Sequence, residues 1–422
     1  MSCKTVFVKN SAKRILMTLL LLLVVCNVTG VTRTEAAGSR VSGNKTEQSL
    51  NSQKSATQHA DVPQAGKVES AVGQDKSAMS VETPAGTSFK TKATVSGEIA
   101  AKDTAALPAK PPVPSVVRKS VKISAVGDCT IGWDDRFNWG NRFDAYLEAN
   151  NGDYGYYLAK VRDVFQEDDF TIANLETTFT SYPVKMEKTF NFSAPDAYKN
   201  VLLQGCVDAV SLGNNHTYDF GERGYLDTMA ALDSIGIPYF GHDKYLVKEA
   251  CGVKIGLFSL LDYGCQFYHE IDKALAYLKS QKCDLIIACM HWGVEHTYEQ
   301  TWAQVAMAHY LVDNGVDLVL GSHPHVLQGI EKYKGKYILY SMANFCFGGN
   351  TDPDDKDTMI FQQTFTFVNG KLQPDDYIKI IPASVSGVSW CNNYQPIVLE
   401  GAEKERVMQK IMRYSSGFEY RE

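Results

Sequence analysis

The chain has 422 residues and a net charge of −6, a length that fits one large domain or two modest ones. Residues 1–30 and 31–120 each sum to +4, which leaves −14 for residues 121–422. A body that acidic argues against a nucleic-acid partner, which calls for a basic face, and raises no objection to metal binding.

At the N-terminus, Lys4, Lys9, Lys13 and Arg14 precede "ILMTLLLLLVVC", 15–26. That apolar run suits the core of a signal peptide better than a full membrane span, which takes about 20 apolar residues. Residues 1–30 are therefore read as a signal peptide or, if retained, a membrane anchor. Either way the remainder is expected outside the cytoplasmic membrane. Residues 31–119 are rich in Ser, Thr, Ala, Gly and Lys, with Phe89 as their one aromatic residue. Such a segment cannot bury enough apolar surface to offset its chain entropy, so a disordered linker is expected. It closes on "LPAKPPVPSVV", a stiff, extended stretch. Residues 120–422 are read as one folded domain. There is no CxxC pair among the ten cysteines. Cys129, Cys206, Cys251, Cys289 and Cys346 lie in or beside apolar runs and read as reduced, buried residues.

From Val121 short apolar runs alternate with helical patterns. "VKISAVGD", "DFTIANLE", "VDAVSLGNNH", "KIGLFSLLD", "DLIIACMHWG", "VDLVLGSHPH" and "KYILYSMANF" have strand length and read as strands covered on both faces. Helices are predicted over 221–236 and 298–315, each stopping at a glycine. This alternation indicates an α/β domain.

Five of these strands end in groups that bind metals or move protons: Asp128; Glu176; Asn214, Asn215 and His216; His291; and His323 with His325. Crevices in α/β sheets form beyond the carboxyl ends of strands. If the strands lie side by side, these side chains share one crevice. In an extended segment residues two apart point the same way, which would aim His323 and His325 together. Taken singly, Asp128 could be a turn former, His291 a structural histidine and Asn214 a loop residue. Taken together they favour a site, because four of the nine histidines fall at strand ends. Carboxylate, amide oxygen and imidazole without thiolate suit divalent Mn, Fe or Zn, as one or two ions.

"AVGDCTIG", "NLETTFT", "KTFNFSAP", "SLGNNHTYDFGERG", "HWGVEHT", "GSHPHVLQGIE" and "YSMANFCFG" occur in this order and together resemble the CapA family of capsule and poly-γ-glutamate synthesis proteins (also called PgsA). The family resembles calcineurin-like metallophosphoesterases. The resemblance therefore implies a four-layer α/β/β/α sandwich with two facing sheets. It also implies Asp128 as the first metal-binding aspartate, Glu176 in the place of the bridging carboxylate and Asn215 as a ligand. His291 and His323 match ligands of one metal and His325 a ligand of the other, while His216 acts on substrate. Phosphoesterases usually carry Asp-x-His in the first motif, where this chain has Asp128-Cys129-Thr130.

Asp219, three residues after His216, is placed to orient its imidazole, and Glu295 is a rival acid–base group. Asn214, Arg136, Lys188 and Asn344 are candidate substrate contacts. The resemblance further implies a membrane-bound poly-γ-glutamate ligase and an integral membrane protein as partners. The chain lacks a GxxxxGK[ST] phosphate loop and is not expected to be that ligase. Three functions fit: a component of polymer synthesis or export, a metal-dependent hydrolase of an envelope phosphoester or polymer, and a non-catalytic module that binds an anionic polymer.

Overall fold

The apolar runs form two sheets, and alternation along each strand decides what faces what. In the computed structural model residues 116–420 are described, apart from 138–139, 263–267 and 375–376. The expected signal segment and nearly all of the linker lie outside these residues. No helix among the described residues is long and apolar enough to cross a membrane.

The larger sheet has eight strands. Arg118–Cys129, Phe170–Leu175, Ala209–Ser211 and Tyr239–Phe240 run parallel. Asp357–Val368 joins antiparallel beside the first of them, and Ile378–Ser384 and Ile397–Val398 follow. The second sheet has six strands. Val253–Asp262, Leu285–Trp292, Leu318–Ser322 and Lys336–Leu339 form its parallel centre. Leu246–Ala250 and Ile330–Tyr333 pair antiparallel at its edges.

Three hydrophobic cores separate the layers. Val121, Ile123, Ala125, Phe170, Ile172 and Ala209 of the first sheet pack with Ile255, Leu257, Leu285, Ile287, Leu318 and Leu320 of the second. The opposite face of the first sheet, through Ala173, Leu175 and Val210, packs against Phe165, Val201, Leu202 and Leu232 of the helical segments. The outer face of the second sheet, through Ile286, Ala288, Met290 and Val319, meets helices Tyr268–Ser280 and Trp302–Asp313. Both faces of the central strands are thus covered, and for that reason they read as nearly continuous apolar runs.

Helix Gly221–Ile235 ends at Gly236 in the left-handed conformation (φ 72°), the cap its sequence predicts. The second predicted helix starts later than 298, at Trp302. Thr301 and Gln304 form a reciprocal capping box there, which fixes the start.

The strands that carry the site residues divide between two sheets, as the resemblance implies, and do not lie side by side in one. One expectation needs correction. Of the five cysteines read as buried, Cys129, Cys289 and Cys346 are buried, Cys206 is half-buried and Cys251 is exposed. Cys251 and Gly252, with φ of 50° and 71°, form the turn of the hairpin between Leu246–Ala250 and Val253–Asp262. The apolar neighbours of Cys251 belong to the strands, and it does not.

Candidate metal centre

The period of two that builds the inter-sheet core also builds the site. Phe170 and Ile172 face the other sheet, so Asn174 does too. Leu285, Ile287 and Cys289 make the same row, and His291 continues it. The row through Ala209 reaches Ser211, whose hydroxyl meets Ser259 of the facing sheet at 2.7 Å. At the carboxyl ends of both sheets the apolar core therefore turns polar, and the loops beyond carry the remaining groups.

Asp128 is fully buried. Its Oδ1 accepts from Asn174 Nδ2 (2.8 Å), and its Oδ2 from the His323 backbone N–H (3.2 Å). His325 Nδ1 lies 3.3 Å from Oδ2 and His291 Nδ1 lies 4.0 Å from Oδ1. Asn344 Nδ2 donates to the His325 carbonyl (3.3 Å), so its Oδ1 faces His325 Nδ1 at 2.8 Å. Nδ1 must then carry a proton, which leaves Nε2 as the atom that could ligate a metal once its own proton has left. The chain reaches Asn344 by passing tightly over the first strand: a Cβ on Gly127 would lie 1.9 Å from the Ala343 carbonyl oxygen.

Glu176 is also fully buried, and neither carboxylate oxygen has a hydrogen-bond partner. His291 Nε2 is 3.4 Å from it and His216 Nε2 is 4.0 Å. His291 is bracketed by Asn215 Oδ1 (2.8 Å from Nε2) and Asn174 Nδ2 (3.3 Å from Nδ1). The His291 and His323 ring centres are 4.7 Å apart, those of His323 and His325 6.0 Å. Three sets of groups each bring ligand atoms within 4.8 Å of one another: Glu176, His291 and His323; Asp128, Glu176 and His325; and Glu295, His323 and His325. Glu176 is common to two of them.

Charges in the cluster are strongly coupled. Burial works to raise the Asp128 carboxyl, but the His325 hydrogen bond and the charges of His325 and His291 hold it at about 2. Burial and the charge of Asp128 push Glu176 up to about 8. Burial drives His291 down to about 4 and, with the neighbouring imidazoles, His323 to about 3. Burial opposes charge on His325, yet Glu176 and Asp128 raise it to about 10. His291 and His323 are thus neutral at pH 7, the form in which imidazole binds a metal.

His216 stands at the edge of this cluster. Its Nδ1–H donates to Asp219 Oδ2 at 2.6 Å, which leaves Nε2 directed toward Glu176. Asp219 is fully buried and also accepts from Lys188 Nζ (2.6 Å) and the Phe192 N–H (2.6 Å). The Phe192 ring lies against His216, 4.4 Å between centres.

The structure gathers Asp128, Glu176, Asn214, Asn215, His216, His291, His323, His325 and Asn344 into this crevice. Asn214 serves its architecture: its side chain donates to Asn174 Oδ1 and the Leu175 carbonyl and accepts from the His216 N–H. Glu295 sits exposed at the rim. Lys188 Nζ donates to Asp219 Oδ1 (2.6 Å) and to the Asn215 carbonyl (2.9 Å), and lies 3.4 Å from His216 Nδ1. The Arg136 guanidinium pairs with Asp134 and donates to the Thr189 carbonyl (2.7 Å); it is not among the residues that line the cavity beside His216. A nearby carboxylate that is 2% exposed captured it.

The route taken by His323 and His325 also differs from the expectation. The segment is not extended: both residues have positive φ, 97° and 58°. Two left-handed residues fold the chain back so that both rings enter the cluster. Asn174 was missed altogether. The alternation Phe170, Ile172, Asn174 was the signal that could have found it.

Two sheets that present carboxylates, amides and imidazoles in one crevice at their carboxyl ends define an α/β protein with a candidate divalent-metal centre. Residues 122–349 match the family described as bacterial capsule synthesis protein PGA_cap, and the chain belongs to that family. It is 27% identical over 227 residues to capsule biosynthesis protein CapA of Bacillus anthracis, a match covering 46% of this chain and 54% of that one. It is 26% identical over 210 residues to PGA biosynthesis protein CapA of Bacillus subtilis, covering 44% and 55%. A probable polyglutamine synthesis accessory protein of Mycobacterium tuberculosis is 29% identical over 213 residues, covering 42% and 55%. The chain thus spans about half the length of the curated relatives it matches. Among solved structures, a hypothetical protein from Thermus thermophilus aligns with a TM-score of 0.39 at 17% identity, over 64% of this chain and 99% of that one.

Proposed function

We propose that this chain is an extracytoplasmic component of capsule or poly-γ-glutamate assembly whose crevice is a metallophosphoesterase-like centre. One observation carries the metal reading: Glu176 is wholly buried, and neither of its oxygens has a hydrogen-bond partner. An ionised carboxylate in that position costs several kcal/mol unless a cation compensates it. The surrounding donors fit a divalent ion of the Mn, Fe or Zn type. Asp128, Glu176, Asn215, His291, His323 and His325 would hold one or two ions. Bound there, a divalent ion would polarise a phosphoryl oxygen and acidify a water.

The protein's own groups divide the remaining work. Asn174, Asn344 and Ser322 orient the ligands. Asp219 fixes the His216 tautomer, and Nε2 is the atom that holds or releases a proton at the scissile oxygen. Lys188 anchors Asp219 in that position. The two facing sheets with helices outside them support the four-layer phosphoesterase-like reading. The names of the relatives, biosynthesis and synthesis accessory proteins, support a place beside the synthesis machinery; a membrane-bound ligase and an integral membrane protein are the partners that the CapA resemblance implies there. The apolar run at 15–26 supports a location outside the cytoplasmic membrane.

The test is elemental analysis of the purified full chain alongside turnover of a generic phosphoester. Wild-type protein should carry about one to two ions and show turnover that is lost with chelator. His323→Ala should lose both metal and turnover. Equal metal content in the two proteins would count against the centre.

A further inference from the structure

A cavity of about 420 Å³ opens beside His216 and His325, within the range of about 300–1,000 Å³ usual for small-molecule sites. Its lining includes the aromatic rings of Phe192 and Phe347 and, with Tyr298, the carboxylates of Glu295, Asp354 and Asp355. The lining holds no lysine and no arginine; its basic groups are the imidazoles of His216, His296 and His325. Asp355 is engaged by Lys410 Nζ (2.6 Å) and the Tyr298 hydroxyl (3.0 Å). Glu295 and Asp354 are exposed and form no ion pair among the described residues. Gly349 keeps the aromatic part of the lining open, because a Cβ there would meet Phe347 Cζ at 2.7 Å and Phe192 Cζ at 3.0 Å.

The acidic part of this lining disfavours a polyanion: a γ-glutamyl chain carries one carboxylate per residue, and those lying on Asp354 would be repelled, while the basic groups of the lining are imidazoles, His325 among them. A flat apolar face beside two carboxylates instead matches a ring that stacks on one side and donates hydrogen bonds on the other. We propose that this cavity is a subsite for a neutral or cationic ring of monosaccharide size, and that an amino sugar linked to phosphate is the ligand class it fits. The ring lies on Phe192 and Phe347, and its ammonium and hydroxyl groups donate to Asp354 and Glu295. The phosphate end reaches the His216 side. That last placement rests on the metal-centre reading above, and the ring subsite itself does not.

The experiment uses the full chain, loaded with Mn²⁺, in calorimetry and saturation-transfer NMR. Its probes are glucosamine 6-phosphate, glucosamine, glucose, inorganic phosphate and penta-γ-glutamate. Glucosamine 6-phosphate is expected to bind about tenfold more tightly than inorganic phosphate, and glucosamine more tightly than glucose. Asp354→Asn, an exposed change that spares the core, should cut the glucosamine preference about threefold and leave inorganic phosphate unchanged. Asp354→Lys should abolish that preference. The proposal is overturned if glucosamine shows no preference over glucose, or if penta-γ-glutamate competes for the cavity in the wild type. Failure of the metal centre reads differently: neither Mn²⁺ nor inorganic phosphate binds, while glucosamine alone still binds with the same dependence on Asp354.

Discussion

Replacing Glu176 by glutamine removes a charge and almost no volume, so its effect isolates the electrostatics of the centre. Burial and the charge of Asp128 raise this carboxyl from 4.5 to about 8 in the metal-free protein. The folded state therefore binds a proton that the unfolded chain has already released. The contribution of this carboxyl to stability must fall as pH rises from about 4.5 to about 8, and level off above that. At 1.36 kcal/mol per pH unit the full difference is about 5 kcal/mol. His325, itself raised to about 10 by Glu176 and Asp128, titrates with Glu176 and loses its own contribution in the same direction as pH rises; of this joint titration about 1–3 kcal/mol is assigned to the carboxyl. In chelator at pH 9, Glu176→Gln should be more stable than wild type by that amount, and at pH 5 the two should nearly coincide. Metal reverses the order: at a hundred times the dissociation constant it adds about 2.7 kcal/mol to wild type and clearly less to the variant. Urea unfolding followed by tryptophan fluorescence, with chelator or with Mn²⁺ at each pH, measures all four values. A variant less stable than wild type in chelator at pH 9, or equal stabilisation of both proteins by metal, would refute the reasoning.

His216→Gln should lose about 10²–10⁴-fold in phosphoester turnover while elemental analysis finds its metal content unchanged; loss of both would make His216 a ligand. Asp357 is 7% exposed and accepts from Arg406 (2.6 and 2.8 Å) and Lys410 (2.8 Å). Burial pushes its carboxyl up, but those bonds hold it below the usual 3.8, so its contribution is present above pH 3.8 and is lost as pH falls further. Asp357→Asn should cost about 1.5–3 kcal/mol at pH 7, and thermal unfolding at pH 3 should show that gap shrinking. Thr301→Ala removes the capping box of helix Trp302–Asp313 and should cost about 1 kcal/mol in urea unfolding, with metal content unchanged.

The strands and their polar ends were legible because strands covered on both faces leave a plain record: apolar runs that stop where the chain must offer chemistry. Division into two sheets was not legible from those runs, since a buried strand reads alike in either sheet. The resemblance to CapA proteins supplied the two facing sheets. Asp128, Glu176 and His291 fall at or just past strand ends, so strand reading alone placed them. His323 and His325 reached the crevice through left-handed backbone, which the Ser-His-Pro-His spelling does not announce. The pairing of Arg136 with Asp134 was not legible either, because pairing depends on which carboxylate lies nearest in space. Asn174 was overlooked because an amide inside an apolar strand draws less notice than a charged group at its end.

The donors are shared between the sheets: Asp128 and Glu176 follow strands of one, and His291, His323 and His325 belong to the other. The contact between Asp128 and His323 alone closes 195 residues of chain. A partly folded chain with only one sheet formed lacks both groupings that contain Glu176, because each of them draws a carboxylate from one sheet and an imidazole from the other. An ion cannot template the first sheet, and it cannot speed the search that brings the two together, because long-range contacts of this kind form late. If the centre takes an ion at Glu176 as proposed, uptake would follow docking in time, and a stopped-flow trace of metal capture would be a clock for the last step of folding.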